Sequence, residues 1–288
     1  INIREKDIIV KMISNTSTSS ITLPTKTKHL HGNKLSKASV VDSLKRRLVS
    51  CTNKNIRSTK NNITNSKKYI KHGDVFEIIN AFMTLCRAKN SQQRFIVLAD
   101  VGNTQPMAAL YIDFSKGKTH FCTEGKYACM GTGIGAALGV AIAYPDTCVI
   151  HISGDGGFTQ GSADLVSYVE ENVTNLVTFM FDNQGWGLIS TESDEQFNIR
   201  LNKGMNGRCL HPKYYELCRA NRLSCYELHT NTQMDKLTDT LQQLVDDYIY
   251  KRSVNVVIAY VDPEAEYEPF IPIGETIHDF HVQLNETS

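Results

Sequence analysis

The chain has 288 residues, is 41% hydrophobic and carries a formal net charge of +1 at pH 7, so it can bury a sizeable core. No apolar run reaches the roughly 18–20 residues that a membrane helix requires, and no secretory signal is visible, so we expect an intracellular, cytoplasmic protein without membrane contact. The first residue is Ile1, from which we expect a processed or partial product.

The near-neutral total hides an uneven distribution of charge. Residues 1–72 contain 16 Lys and Arg but 3 Asp and Glu, whereas residues 73–288 contain 15 and 27. Residues 1–70 are also rich in Ser, Thr and Asn, a composition that cannot offset its ordering entropy. We therefore predict a flexible basic arm over 1–70, a folded domain over 71–270 and a tail over 271–288. An anionic partner for the arm and a merely solvated arm both fit this composition.

Apolar patterning predicts the elements of the folded domain in chain order. A short helix over Ala38–Leu48 is compatible with the arm. Beyond His72 the pattern predicts helices and strands as follows: helix Val75–Cys86, strand 94–100, helix Gly131–Tyr144, strand 147–153, helix Ser162–Asn172, strand Asn175–Phe181, helix Pro212–Ala220, strand Ser224–Leu228, helix Met234–Tyr250 and strand Asn255–Val261. This alternation predicts an α/β fold, a parallel sheet with helices on both faces.

Polar residues follow three of the predicted strands. Asp100 ends the first, Asp155 lies in a Gly-Asp-Gly turn after the second, and Asp182–Asn183 follow the third. The carboxyl ends of parallel strands lie on one sheet edge, where ligands bind. The glycines permit close backbone approach, and the helix that follows offers N–H groups to an anion. Read singly, Asp155 is also typical of a helix cap and Asn183 of a turn.

The combination is more specific than its parts. Asp155 and Asn183 supply oxygen ligands, and the carbonyl of Gly185 can supply a third, which suits Mg²⁺ bound together with ligand phosphates. The eight cysteines form no C-x-x-C pair, which disfavours a zinc or iron–sulfur site and favours reduced, buried thiols. A dinucleotide fingerprint at Gly131, Gly133 and Gly135 fails in spacing because Ala136 stands where glycine is needed, and a clean preceding strand is not evident.

The Gly-Asp-Gly turn, followed after 26 residues by Asn183, resembles the signature of thiamine-diphosphate (ThDP) enzymes. Other segments resemble the acetolactate synthase and pyruvate decarboxylase superfamily, namely DVGN (100–103), MGTGIGAA (130–137), HPKYYELCRANRL (211–223) and NVVIAYVDPEAEYEPF (255–270). Pro145 and Asp146, which precede the strand that leads into the Gly-Asp-Gly turn, also resemble the superfamily's pattern. The resemblance covers roughly 200 residues and implies the superfamily's C-terminal, cofactor-binding domain.

The resemblance also implies roles for individual residues. Met130 would be the wedge that bends the cofactor, the Ala128 carbonyl would accept a hydrogen bond from the aminopyrimidine, and Leu188 and Ile189 would border the substrate space. No catalytic residue is assigned. Cation ligands would be Asp155, Asn183 and the Gly185 carbonyl, and cofactor contacts would be Gly102, Asn103, Ala128, Met130, Gly156, Gly157, Gly187 and Leu188. Trp186 is expected to be a packing residue. Ile189 replaces the catalytic Glu of pyruvate decarboxylases, which argues against that chemistry.

In the superfamily a Glu from a second domain activates the pyrimidine, and no region of this chain matches that domain. We therefore expect half of an active site, completed by a homo-oligomer or a partner chain. The main hypothesis is the ThDP- and Mg²⁺-binding part of a lyase or transferase acting on small 2-oxo acids. Two alternatives stay open. One is a catalytically inactive module that is structural or binds an anionic partner. The other is a ThDP-dependent cyclic dione hydrolase, which YACMG (127–131) and FDNQGWG (181–187) resemble.

Overall fold

A computed structural model describes residues 69–124, 127–199, 212–229, 234–250 and 254–263. The predicted basic arm and tail, and with them the helix over Ala38–Leu48, lie outside these ranges except for the last two arm residues. The eight helices here are α1 His72–Lys89, α2 Thr104–Tyr111, α3 Thr132–Ala143, α4 Asp155–Gly161, α5 Leu165–Glu170, α6 Gly187–Phe197, α7 Tyr214–Ala220 and α8 Met234–Ile249. The six strands of this part are β1 Arg94–Ala99, β2 Thr119–Thr123, β3 Thr147–Gly154, β4 Leu176–Asp182, β5 Ser224–Leu228 and β6 Asn255–Tyr260.

The six strands form one parallel sheet in the order β2-β1-β3-β4-β6-β5. Strands β3 and β4 lie at its centre and are buried almost throughout, which explains why both read as continuous apolar runs. After β2 the chain crosses back over β1 to form β3, so the strand order reverses between β1 and β3. Their carboxyl ends therefore flank a crevice of the kind in which α/β proteins bind ligands.

Side chains from each central strand alternate between two hydrophobic cores, one on each face of the sheet. On β3, Cys148, Ile150 and Ile152 pack with α1, α2 and α8, whereas Val149 packs with α3, α4, α5 and α7. The same alternation occurs on β1 and β4. The predicted α/β fold with helices on both faces is confirmed, because helices pack against both faces of the central strands.

The sequence missed four elements that surround the crevice. Helix α4 contains Gly156, Gly157 and Gly161 within seven residues, so its helix propensity is low. Helix α2 is interrupted in sequence by Pro106, whose missing N–H costs nothing there because first-turn N–H groups have no partner within a helix. Helix α6 is largely polar and lacks a clear apolar face.

The fourth missed element is β2, a short edge strand that is only half-buried. It precedes the glycines around Gly131, so the prediction that no clean strand precedes them was wrong. The sequence of β2 does not alternate between apolar and polar residues as that of a strand with one buried face would. In the structure its polar and apolar side chains are both partly covered. The spacing argument against a dinucleotide fingerprint is unaffected, since position 136 is alanine.

The described residues begin with a contact that ties the start of the domain to its end. Ile70 pairs with Val261 in a parallel bridge, and the Ile70 N–H donates to the Tyr260 carbonyl at 2.8 Å. No helix in the part of the chain that the structure describes is both long and apolar enough to cross a membrane.

Candidate cofactor and cation site

Three strand ends meet at the crevice. The backbone N–H of Asp100, just past β1, donates to the Ile152 carbonyl of β3 at 2.8 Å. Gly154 at the end of β3 is in register with Phe181 of β4, so the residues that follow these two strands start side by side. The sheet therefore brings together the three polar segments that the sequence placed at strand ends.

Asp155 joins the loops that follow β3 and β4. Its side chain is 3% exposed, and its Oδ1 accepts a hydrogen bond from the Gly156 N–H at 2.7 Å. The other oxygen, Oδ2, accepts from the Gly185 N–H at 2.9 Å. Asp155 is the first residue of α4, whose N-cap is Gly154, so its carboxylate does more than cap its own helix.

A second buried carboxylate, Asp182, lies beside the first. Asp182 is 4% exposed, and its Oδ1 accepts from the Gln184 N–H at 3.0 Å, which makes a turn that encloses Asn183. Burial, reinforced by the negative charge of Asp182, raises the pKa of Asp155 from 3.8 to about 8. Buried carboxylates in proteins are paired or bind metal ions, and two together attract a divalent cation.

We predict that Asp182→Asn stabilises the cofactor-free chain at pH 8 and leaves it unchanged near pH 4. The pKa of Asp155 is higher in the folded than in the unfolded chain, so folding stability falls as pH rises from about 4 to about 8. The amide removes one charge and keeps an acceptor for the Gln184 N–H. We expect a gain of about 1 kcal/mol at pH 8, which corresponds to a change of less than tenfold in the acid dissociation constant of Asp155.

Urea denaturation at the two pH values, without divalent cations, measures this effect. Asp239→Asn is the control, because Asp239 is exposed on α8. An equal change at pH 4 and pH 8, or none at either, contradicts the inferred repulsion between the two buried carboxylates.

Asp100 anchors the loop before α3 to the sheet. Its Oδ1 accepts from the Val101 N–H at 2.9 Å, and its Oδ2 accepts from the Gly131 N–H at 3.1 Å and the Ser153 hydroxyl at 3.4 Å. The side chain is buried, and burial raises its pKa despite these hydrogen bonds. Asp100 thus holds the turn that contains Met130 against the ends of β1 and β3, beyond simply ending its strand.

The glycines of the crevice allow close approach between its loops. Gly131 has φ +83°, and a Cβ there would lie 2.6 Å from the Cβ of Gln160. A Cβ on Gly157 would overlap the Asp100 carboxylate, and one on Gly156 would lie 2.8 Å from Met130 Cε and 2.7 Å from Trp186 Cδ1. The structure therefore brings Met130, Gly156 and Trp186 together, whereas Trp186 was expected only as a packing residue.

The other predicted contacts lie on the loops around the same edge. Gly102 has φ +136°, Ala128 has φ +50° and is exposed, and Asn103 is the N-cap of α2. Gly187 and Leu188 begin α6 and are half-buried, as are Asn183 and Gly185. Their roles toward a cofactor stay predictions.

Two buried polar atoms at the start of α2 lack a partner among the described residues. They are the amide nitrogen of Asn103 and the hydroxyl of Thr104. Buried polar groups are nearly always hydrogen-bonded, so these two atoms suit a polar ligand. Thr104 was not predicted as a site residue, because a single Thr after a turn carries no distinguishing sequence signal.

Within the described ranges, no group of three or more His, Cys, Asp or Glu side chains is placed to hold a metal ion. The described cysteines are free thiols, of which Cys86, Cys148 and Cys218 are buried.

Comparison with known proteins assigns the class that this fold and site define. Residues 100–258, more than half of the chain, match the family described as thiamine pyrophosphate enzyme, C-terminal TPP binding domain. The chain belongs to this family, and the resemblance inferred from its motifs is confirmed. The matched segment begins at Asp100 and contains both the Gly-Asp-Gly turn and Asn183.

Within the superfamily, the chain is similar to large subunits of acetolactate synthase. It is 25% identical over 208 residues to the probable large subunit of Methanocaldococcus jannaschii, covering 72% of this chain and 32% of that protein. It is 26% identical over 178 residues to the isozyme 3 large subunit of Escherichia coli K12, covering 62% and 30%. It is also 26% identical over 188 residues to the sulfoacetaldehyde acetyltransferase of Roseovarius nubinhibens, covering 61% and 28%. The chain thus spans about a third of the length of these relatives.

Proposed function

We propose that this chain is the ThDP- and Mg²⁺-binding part of an acetolactate-synthase-like lyase or transferase that acts on 2-oxo acids. The observation that supports it best is the hydrogen bond from the Gly185 N–H to Asp155, because it joins the two loops that carry the expected cation ligands. Family membership supports the cofactor, and the similarity to acetolactate synthases supports the reaction class.

The cation would be held by Asp155, the Asn183 side-chain oxygen and the Gly185 carbonyl. These are hard oxygen donors, which Mg²⁺ prefers, and its remaining positions would take diphosphate oxygens and water. The Asp182 carboxylate next to Asp155 adds negative charge without being required as a ligand. Cation binding would relieve the repulsion between these two buried carboxylates.

The diphosphate would contact the backbone of Gly156 and Gly157. Both glycines lie in the first turn of α4, so the diphosphate would meet their backbone atoms beside Trp186 and Met130. The Asn103 amide and the Thr104 hydroxyl, which lack a partner among the described residues, offer further donors. Met130 lies against Gly156, and its side chain would support the bent cofactor. When bound, ThDP supplies the carbon nucleophile of the reaction, and these residues bind and orient it.

A second domain or chain would complete the site and supply the activating Glu. Large apolar side chains are exposed around the same edge, among them Tyr127, Trp186 and Ile189. A homo-oligomer or a partner chain that carries the pyrimidine-binding domain would cover such a surface. An anionic partner of the basic arm stays a separate proposal that rests on composition alone.

Calorimetric titration of the chain with ThDP, with and without Mg²⁺, tests the cofactor assignment. We expect one site per chain that binds ThDP only when Mg²⁺ is present, because the diphosphate and the cation share ligands. The absence of Mg²⁺-dependent heat, even with a chain bearing the pyrimidine-binding domain supplied, would falsify the assignment and favour the inactive structural module.

The reaction needs a separate measurement. With the partner domain supplied, we expect the condensation of 2-oxo acids to release carbon dioxide, which product analysis detects. Ring opening of a cyclic dione without carbon dioxide release would instead favour the hydrolase alternative.

A further inference from the structure

Trp186 lies where the loop after β3 touches the loop after β4. It follows Gly185 directly, and its carbonyl accepts from the Ser190 N–H at 2.9 Å at the start of α6, which fixes its backbone. The indole ring lies over the bare Cα of Gly156, since a Cβ there would be 2.7 Å from Cδ1 and 2.9 Å from Nε1. The methyl group of Met130 reaches the same point, at 2.8 Å.

The chemistry of the indole ring suits this position. Its edge carries one N–H, which is a donor and never an acceptor. No described residue accepts a hydrogen bond from this N–H, and the side chain is 52% exposed, so the donor is accessible from solvent. Nε1 is one of the three heavy atoms nearest to the position that a Cβ on Gly156 would occupy. A ligand oxygen beside Gly156 would therefore come within reach of the indole N–H.

We propose that Trp186 is a further cofactor-binding residue whose indole N–H donates to a diphosphate oxygen next to Gly156. The ring and the Met130 methyl then form one wall of the cofactor cleft. This inference rests on the proposed function, because it assumes that the diphosphate lies along Gly156. The new element is a cofactor contact from the loop after β4, made by the residue that directly follows the proposed cation ligand Gly185.

The test uses the fact that Trp186 is the only tryptophan of the chain. The wild-type chain is titrated with Mg²⁺ and inorganic diphosphate, then with Mg²⁺ and ThDP, and both calorimetric heat and tryptophan emission are recorded in the same samples. Trp186→Phe keeps an aromatic ring but removes the donor. Phe197→Ala is the control, since Phe197 is exposed at the far end of the same helix and leaves Trp186 in place.

We expect both ligands to change the emission with the midpoint seen by calorimetry. Because hydrogen bonds to charged oxygens are the strong ones, Trp186→Phe should weaken binding of both ligands by about tenfold, and Phe197→Ala by less than twofold. Calorimetric binding with unchanged emission, or wild-type affinity in Trp186→Phe, overturns this inference alone. No Mg²⁺-dependent binding to the wild type overturns the proposed function and this inference together.

Discussion

Asp155→Ala is expected to weaken the Mg²⁺-dependent binding of ThDP by at least about a hundredfold, because it removes the one charged side chain among the three ligands proposed for the cation. It also removes the acceptor for the Gly185 N–H, so the loop that carries Asn183 loses its contact with the loop after β3. Calorimetry with ThDP and Mg²⁺ measures the loss. Loss of the cation ligand affects binding directly, so the effect should exceed that of any single cofactor contact.

The stability of this variant separates a ligand from a structural residue. Asp155 is buried with a pKa of about 8, so its removal takes away a poorly solvated carboxyl beside Asp182. We therefore expect the cofactor-free Asp155→Ala chain to unfold at nearly the wild-type urea concentration at pH 8. Asp146→Ala is the control for binding, since Asp146 is exposed before β3. Retained binding in Asp155→Ala, or loss of binding explained by global unfolding, contradicts the assigned role.

Gly157→Ala is expected to lower the free energy of unfolding by about 2–3 kcal/mol, the upper part of the usual range for forcing extra volume into a packed site. The added methyl group would overlap the Asp100 carboxylate and lie 3.0 Å from the Ser153 hydroxyl. Asp100 cannot retreat without loosening its bonds to the Val101 and Gly131 N–H groups. The strain would therefore pass to the turn that holds Met130.

Gly154→Ala is the matched control in the same turn. A Cβ on Gly154 meets no atom within 4 Å, and its φ of −79° is one that alanine adopts readily. We expect a loss of less than about 1 kcal/mol, because alanine disturbs no packing there and is only a poorer N-cap for α4 than glycine. Urea denaturation of both variants makes the comparison. If both glycines tolerate alanine equally, the close packing of Asp100 against Gly157 is not a constraint on the fold.

The sequence was most informative where apolar runs were long and uninterrupted. Strands β1, β3, β4 and β6 are buried on both faces, so Phe95, Val149 and Phe179 lie in unbroken apolar stretches that predict strands directly. The sequence did not predict helix α4, because glycine has a low helix propensity. Its glycines are present because Trp186 and Asp100 approach the backbone too closely for a side chain. The sequence did not predict strand β2, because an edge strand is only partly covered and so does not need a continuous apolar run.

The candidate site was predictable in its loops but not in all of its contacts. Motif spacing predicted that the loops carrying Asp155, Asn183 and Gly185 lie together, because neighbouring parallel strands bring their ends together, and the Gly185 N–H does contact Asp155. The proximity of Asp182 to Asp155, the reach of Asp100 to Gly131 and the position of Trp186 over Gly156 depend on side-chain directions across loops, which no sequence period encodes.

The loops after β3 and β4 are proposed to hold one divalent cation on the diphosphate of ThDP. Electron paramagnetic resonance with Mn²⁺ in place of Mg²⁺ tests it most directly, by comparing the wild type with Asp155→Ala and Asn183→Ala. We predict that ThDP causes one Mn²⁺ to bind per wild-type chain, with magnetic coupling to phosphorus nuclei, and that each variant loses this signal. Mn²⁺ that binds all three chains alike, or shows no coupling to phosphorus, would contradict the claim.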